Sequence, residues 1–297
     1  MKVGVQLPEI ERRVSWTEMR AMARVAEEGG LDSIWVGDHL LYRVDDGPRG
    51  PWDTFTTMAA LAAVTDRVEI GPLVAATAFH NPAVLARQAS ALDEISEGRF
   101  ILGLGSGWNR VEFDAYGFGF DDRTARFEEA FTVVHTLLQD GEIDFHGVYY
   151  DFPDCVVDPR GPTSGGPPLL IGSTGPRMLA ATLPHVQLWN AWYSAYGNDP
   201  ARVPNLLSDI DAACLSAGRA PGEIGKTLAM LWHFETSPVR RDADHRILDR
   251  HEKHQALASL HAAGVAGVQL VLDPITLDTI AQAAEIVRAW KEMPANS

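Results

Sequence analysis

The chain has 297 residues, 46% of them hydrophobic, and a formal net charge of −15. That length supports one large α/β domain, and an acidic chain with no basic stripe excludes an ordinary nucleic-acid binder. No apolar run approaches the roughly 20 residues that span a bilayer, and Cys155 and Cys214 lack the spacing of a disulfide framework or a zinc site.

Strand and helix signals alternate from end to end. Residues 2–7 read as a first strand ending at Pro8, and 16–28 as a helix capped at Ser15 or Thr17 and stopped by Gly29 and Gly30. Residues 33–37 form a short apolar run with β-branched and aromatic side chains, the pattern of a strand covered on both faces. A helix is expected over 53–65, where alanines accumulate, then a strand over 68–74. Pro82 opens a helix over 82–95, a fourth strand covers 100–104, and a helix covers 124–138. Residues 139–168, rich in aromatics, Pro and Gly, read as an insertion. A fifth strand is expected at 169–171 with a helix from about Pro176, a sixth strand at 186–189, a helix over 203–217, and a seventh strand at 227–234. Residues 237–253 read as a polar rim segment, with His251 and His254 on a solvated face. An eighth strand at 267–271 and a helix over 277–290 complete the chain.

Eight strands, each followed by helix, predict a single-domain (β/α)₈ barrel over 1–297, with insertions after strands 4 and 7. A doubly wound dinucleotide fold would carry a Gly-rich turn after strand one. This chain has Leu7-Pro8-Glu9 there. The N-terminus is too short and polar for a signal peptide, so the cytoplasm is the expected location. Both cysteines are expected to be reduced and buried.

Chemistry in such a barrel gathers where strands end. Strand two ends in Asp38 and His39; the imidazole could move a proton near neutral pH or simply brace a turn. No metal-ligand spacing surrounds it. Residues 103, 105 and 107 are glycines that would let a flat ligand approach the backbone, or merely allow bends. Trp108 beyond them could stack on a ring or pack. Gly172 to Arg177, with Ser173 and Gly175, is a Gly/Ser/Thr loop feeding a helix N-terminus. It fits either an anion site, with Arg177 turned inward, or a plain tight turn.

Taken together, the runs GLDSIWVGDH (30–39), TDRVEIG (65–71), HNP (80–82), LDEISEGR (92–99) and LGLGSGW (102–108) resemble the bacterial luciferase-like superfamily of flavin- and deazaflavin-dependent oxidoreductases. Glu112, Tyr116-Gly117, Arg123 to Glu129, PPLLIG (167–172) and Trp189-Asn190 extend the resemblance over nearly the whole chain. The resemblance implies a TIM barrel that binds coenzyme F420, or alternatively FMN, at its C-terminal mouth. Asp38 and His39 would lie by the ring, as catalytic residues, and Leu73, Val74 and Ala75 behind it, with a cis peptide at Leu73–Val74. Ser106, Gly107 and Trp108 would flank the ring or its chain, and Gly172, Ser173, Gly175 and Arg177 would hold the phosphate.

F420-dependent glucose-6-phosphate dehydrogenases carry an acidic residue where this chain has Trp108, so sugar-phosphate oxidation is not expected. The resemblance implies hydride transfer to a small, apolar organic substrate walled by Phe79, Trp108, Phe113, Trp192, Tyr193 and the insertion. The alternatives are an FMN monooxygenase using O₂ and a non-catalytic flavin-binding barrel. It also implies a homodimer, with no membrane or nucleic-acid partner. Arg240, Arg241, Arg246 and Arg250 on the rim are expected to attract the oligoglutamate tail of F420, unless they pair with nearby aspartates.

Overall fold

The structure is a computed structural model that describes residues 1–45, 47–235 and 247–293. In chain order the elements are β1 (Lys2–Gln6), α1 (Trp16–Glu28), β2 (Ser33–Val36), β3 (Tyr42–Val44), β4 (Gly47–Arg49), α2 (Thr54–Ala62), β5 (Glu69–Pro72), β6 (Ala75–Ala76), α3 (Pro82–Ile95) and β7 (Leu102–Gly105). They continue with α4 (Arg110–Tyr116), α5 (Arg123–Asp140), β8 (Glu142–His146), β9 (Asp151–Val156), β10 (Leu169–Gly172), α6 (Pro176–Thr182), β11 (Leu188–Ala191), α7 (Val203–Ser216), β12 (Gly225–His233), α8 (Arg250–Ala262), β13 (Gly267–Asp273) and α9 (Leu277–Glu292).

One parallel sheet runs β5-β2-β1-β13-β12-β11-β10-β7-β6. Its two ends, β5 and β6, are halves of a single stave divided at Leu73–Val74, where the peptide is cis. An Ile70–Phe100 bridge joins β5 to the start of the β7 stave. The sheet thus closes on itself as eight staves with helices outside, a TIM barrel.

Strand alternation sorts the side chains into two cores. Val3, Val5, Leu7, Ile34, Leu228, Met230 and Leu270 face the helices in the large outer core. Trp35, Leu73, Ile101 and Leu170 fill the barrel, with Val74, Leu188 and Trp192 against them, and Ala229, Leu231 and Val271 form a second inner group touching Trp192 and Tyr193. One group of buried polar side chains is mutually satisfied: Asn190 Nδ2 donates to Thr227 Oγ1 at 2.9 Å and to Gln269 Oε1 at 2.8 Å.

Local chemistry explains the helix starts. Ser15 caps α1, and Asn81 caps α3 ahead of Pro82 at the first helical position. Asp249 and Glu252 form a reciprocal capping box on α8. That box places a helix over Arg250–Ala262, correcting the reading of this stretch as rim, and it buries His254, whose Nε2 donates to Ile286 O at 3.0 Å. The solvated-face reading of His254 is therefore wrong. The rim residues Arg240, Arg241 and Arg246 lie outside the described residues, whereas Arg250 pairs with Glu285 at 3.0 Å.

Three further elements differ from the sequence reading. The short hairpin β3–β4 and helix α4 follow strands two and four where only loops were expected. Neither has a long periodic apolar pattern, because each buries few side chains. The sixth strand sits two residues later than expected, at Leu188–Ala191. The insertion after strand four folds as the antiparallel hairpin β8–β9, where Cys155 is only half-buried, unlike the fully buried Cys214.

Candidate active site

Asp38 and His39 are neighbours in sequence but leave the end of β2 on opposite sides. Asp38, 5% exposed, accepts from Ala76 N at 2.8 Å and from His80 Nε2 at 2.8 Å. It ties the end of strand two to the strand-three loop. His39 turns to α4, where Glu112 Oε1 lies 2.9 Å from Nδ1, and its Nε2 lies 2.9 Å from Tyr42 Oη. Glu112 is 1% exposed. Its second oxygen accepts from Leu40 N and Leu41 N, so the backbone after His39 is fixed by the same carboxylate.

The electrostatics favour a charged pair. Burial disfavours charge on His39, but the bond to Glu112 and the carboxylates of Glu9, Glu112 and Asp38 outweigh it and raise its pKa. Burial likewise opposes charge on Glu112, yet His39 and the Leu40 and Leu41 N–H groups bring its pKa below the ordinary value. With the imidazolium formed, Nδ1–H donates to Glu112 and Nε2–H to Tyr42 Oη.

An aromatic mouth surrounds this pair. Trp108 is 66% exposed and stands edge-on to His39, with ring centroids 5.8 Å apart, and to Tyr42 at 6.1 Å. Gly107 precedes it at φ 76°, and a Cβ there would lie 2.8 Å from Phe113, so only glycine serves this bend. Phe113, expected to line the pocket, is instead fully buried, packed on Phe79 and Phe120 at 4.9 and 5.1 Å. Trp192 and Tyr193 do reach the barrel interior.

The alternating glycines sit where other groups of the chain approach the backbone closely. Cβ atoms at Gly103, Gly105 and Gly172 would stand 3.0, 2.8 and 3.0 Å from methyl groups of Val74. These glycines leave room for the Val74 side chain, and Gly103 also for the carbonyl of Pro72, which would stand 2.2 Å from a Cβ there. Ala75, also expected behind the ring, is fully buried in the outer core.

At the phosphate loop, Ser173 Oγ accepts from Gly175 N at 3.1 Å, and Ser173 O accepts from Trp189 Nε1 at 2.7 Å. Arg177 does not turn inward. Its Nε and one terminal nitrogen each lie 2.5 Å from a carboxylate oxygen of Glu128, with the guanidinium side chain 63% exposed. Ser106 Oγ makes only a long bond of 3.4 Å to Gly107 O.

Several residues of the mouth carried no assignment from sequence. Glu112 and His80 lay inside recognised runs but had no role, and Tyr42 sits in the unforeseen hairpin. Gln6 and Glu9, at the end of β1, are joined by a 2.5 Å bond from Gln6 Nε2 to Glu9 Oε1. His233 and Asp273 close the ends of β12 and β13 with a 3.0 Å contact between Nδ1 and Oδ2. A cavity of about 360 Å³ lined by Thr174, Leu179, Leu206 and Ile210 lies between α6 and α7, outside the barrel and away from these groups. Among the described residues no cluster of three or more His, Cys, Asp or Glu is arranged to hold a metal, and no helix is long and apolar enough to cross a membrane.

The sequence model described as luciferase-like monooxygenase matches residues 2–289. The chain is 28% identical over 269 residues to an F420-dependent glucose-6-phosphate dehydrogenase of Microbacterium testaceum, covering 89% of this chain and 75% of that protein. It is 43% identical over 145 residues to the pyrimidine monooxygenase RutA of Caulobacter sp., covering 47% of this chain and 37% of that protein. The chain thus spans less than half the length of some curated relatives it matches. Among solved structures, an F420-dependent secondary alcohol dehydrogenase in complex with an F420-acetone adduct superposes with TM-score 0.82 over 97% of this chain and 98% of that one, at 17% identity. At that identity the likeness establishes the fold.

Proposed function

The chain belongs to the luciferase-like monooxygenase family, and from that footing we propose that it is an F420-dependent oxidoreductase acting on a small, largely apolar organic molecule. The observation that carries this reading is the imidazole of His39, held between Glu112 and Tyr42 under an exposed indole at the barrel mouth. The relative matched along nearly the whole chain is named as F420-dependent, which favours the deazaflavin. Trp108, in place of an acidic residue, argues against glucose 6-phosphate as the substrate.

The residues present fit such a cofactor. The exposed ring of Trp108, with Ser106 and Gly107, offers a face for a planar heterocycle. The backbone at Leu73, Val74 and Ala75 backs the site, and Gly172, Ser173 and Gly175, ahead of α6, suit a phosphate. When bound, F420 supplies or takes up a hydride.

The chain's own residues then handle the proton. Glu112 keeps His39 charged and its ring oriented. Nε2–H feeds Tyr42 Oη, so a proton leaving Tyr42 for a substrate oxygen or carbon is replaced from His39. Asp38 holds the strand-three loop through Ala76 N and His80, and so keeps the back of the site in place. Trp192, Tyr193 and Leu231 supply an apolar wall that excludes water.

A second reading, a flavin monooxygenase using FMN and O₂, is favoured by the 43% identity to the pyrimidine monooxygenase. Titration of the protein with F420 and with FMN separates the two. Tighter F420 binding supports the oxidoreductase, and tighter FMN binding moves the assignment to the monooxygenase.

A further inference from the structure

His135 and His185 come from different elements and meet on the outside of the barrel. His135 lies in the last third of α5, and His185 in the turn between α6 and β11. Helix α5 starts at the mouth and β11 starts at the opposite face, so the pair stands at the face remote from His39. The ring centroids are 4.3 Å apart, with an interplanar angle of 46°. Phe131, which is buried, lies against both rings, at 6.0 Å from His135 and 6.1 Å from His185. His135 is half-buried and His185 is exposed.

Among the described residues neither ring takes part in a hydrogen bond. A neutral imidazole carries one N–H and one bare nitrogen, so each ring has a lone pair to offer and is free to turn it towards its neighbour. Burial first, and the charge of His185 second, lower the pKa of His135 against the opposing pull of Asp140. His135 is therefore neutral near pH 7, the form that binds a metal. The separation of the rings discriminates between geometries. A metal about 2.0–2.1 Å from a ring nitrogen stands about 3.2 Å from that ring's centroid. Two such rings have centroids about 5.2 Å apart at a tetrahedral angle and about 4.5 Å apart at a right angle. The observed 4.3 Å is nearer the right angle, the geometry of square-planar or tetragonal Cu(II) and Ni(II).

We propose that His135 and His185 form a two-histidine site for a divalent late transition cation, Cu(II) ahead of Ni(II), with water in the remaining positions. The bound cation joins α5 to the α6–β11 turn at the face opposite the mouth. The same two helices, α5 and α6, are tied at their other ends by Glu128 and Arg177. The protein ligands are imidazoles, so Mg(II) and Ca(II), which take oxygen ligands, are excluded. The site is independent of the cofactor assigned to the barrel mouth.

The test titrates the full-length, untagged protein, labelled at histidine, with copper(II), nickel(II) and magnesium chlorides near neutral pH. Substoichiometric Cu(II) is expected to broaden the NMR signals of His135 and His185 before those of any other histidine. His146, whose ring nitrogens lie 3.2 and 2.5 Å from Asp144 and Asp151, is the internal competitor. Ni(II) is expected at the same pair with lower affinity, and Mg(II) leaves both signals unchanged. His135→Gln and His185→Gln, with folding checked by melting, should each weaken Cu(II) binding in calorimetry by about tenfold or more. His185 is exposed, so its variant keeps the fold and decides the result. Broadening that begins at His146 or another histidine, a Cu(II) affinity unchanged in His185→Gln, a response of the pair to Mg(II), or no Cu(II) binding by the wild type would each overturn the proposal.

Discussion

Glu112 Oε1 sits 2.9 Å from His39 Nδ1, across 73 positions of sequence. One carboxylate thus does two jobs, charging the imidazole and clamping the N–H groups of Leu40 and Leu41. Asp38, the apparent partner by adjacency, serves His80 instead. The two neighbours, just beyond the end of β2, thus serve different partners on different elements.

Removing the charge of Glu112 while keeping its shape should lower the His39 pKa. Glu112→Gln is expected to cut turnover by about tenfold or more at neutral pH, with the loss shrinking as the pH falls towards the new His39 pKa. The pH–rate profile of wild type and variant checks this. Superimposable profiles would leave Glu112 only its role on the Leu40 and Leu41 backbone.

The same pair sets a stability window. His39 has a raised pKa in the folded state, so its contribution is full below the ordinary value of 6.5 and is lost as pH rises through the folded value. Glu112 has a lowered one, so its contribution is full above 4.5 and is lost as pH falls through the folded value. Denaturant unfolding should therefore show Glu112→Gln less stable than wild type by about 1–3 kcal/mol, most of all between these two values. A difference that does not vary with pH would refute the charged pair.

His39→Ala is expected to slow turnover by about 10²–10⁴-fold while F420 affinity stays within a few-fold, since the side chain moves a proton rather than holding the ring. Unchanged turnover in a folded variant would reduce His39 to a brace.

Arg177 is held by Glu128 through two 2.5 Å contacts. Glu128→Gln should release it, and F420 affinity should rise by about two- to fivefold at low salt and converge with wild type at high salt. Equal affinity at both salt concentrations would mean that Arg177 does not reach the cofactor phosphate.

Val74 and Gly105 are complementary in volume. Gly105→Ala alone should cost about 1–3 kcal/mol from the 2.8 Å approach to Val74. In a Val74→Ala background the same change should cost less than half as much, and a double-mutant cycle read by denaturant unfolding measures the difference. Additive effects would place the role of Gly105 elsewhere.

The architecture was legible because buried parallel strands and long amphipathic helices announce themselves by period, as 33–37 and 82–95 did. Helix α8 was not, because its charged N-terminal turn masks an inward face of Lys253, His254 and Leu257. The site was only half legible. Asp38 and His39 stand out at a strand end, but their partners are set by tertiary geometry, and no spacing links Glu112 to His39 or Asp38 to His80. The glycines of 103–107 are a related case: alternation reports close approach but does not say which group approaches, Pro72 and Val74 at Gly103, Val74 at Gly105 and Phe113 at Gly107.

The most direct measurement is an NMR titration of the His39 imidazole, in protein labelled at histidine, recorded alone, with F420 and with FMN. The account predicts a pKa above 6.5 in the free protein that Glu112→Gln lowers, and a shift of the His39 signals on adding F420 that FMN does not reproduce. A His39 pKa at or below 6.5, or signals that respond to FMN and ignore F420, would contradict it.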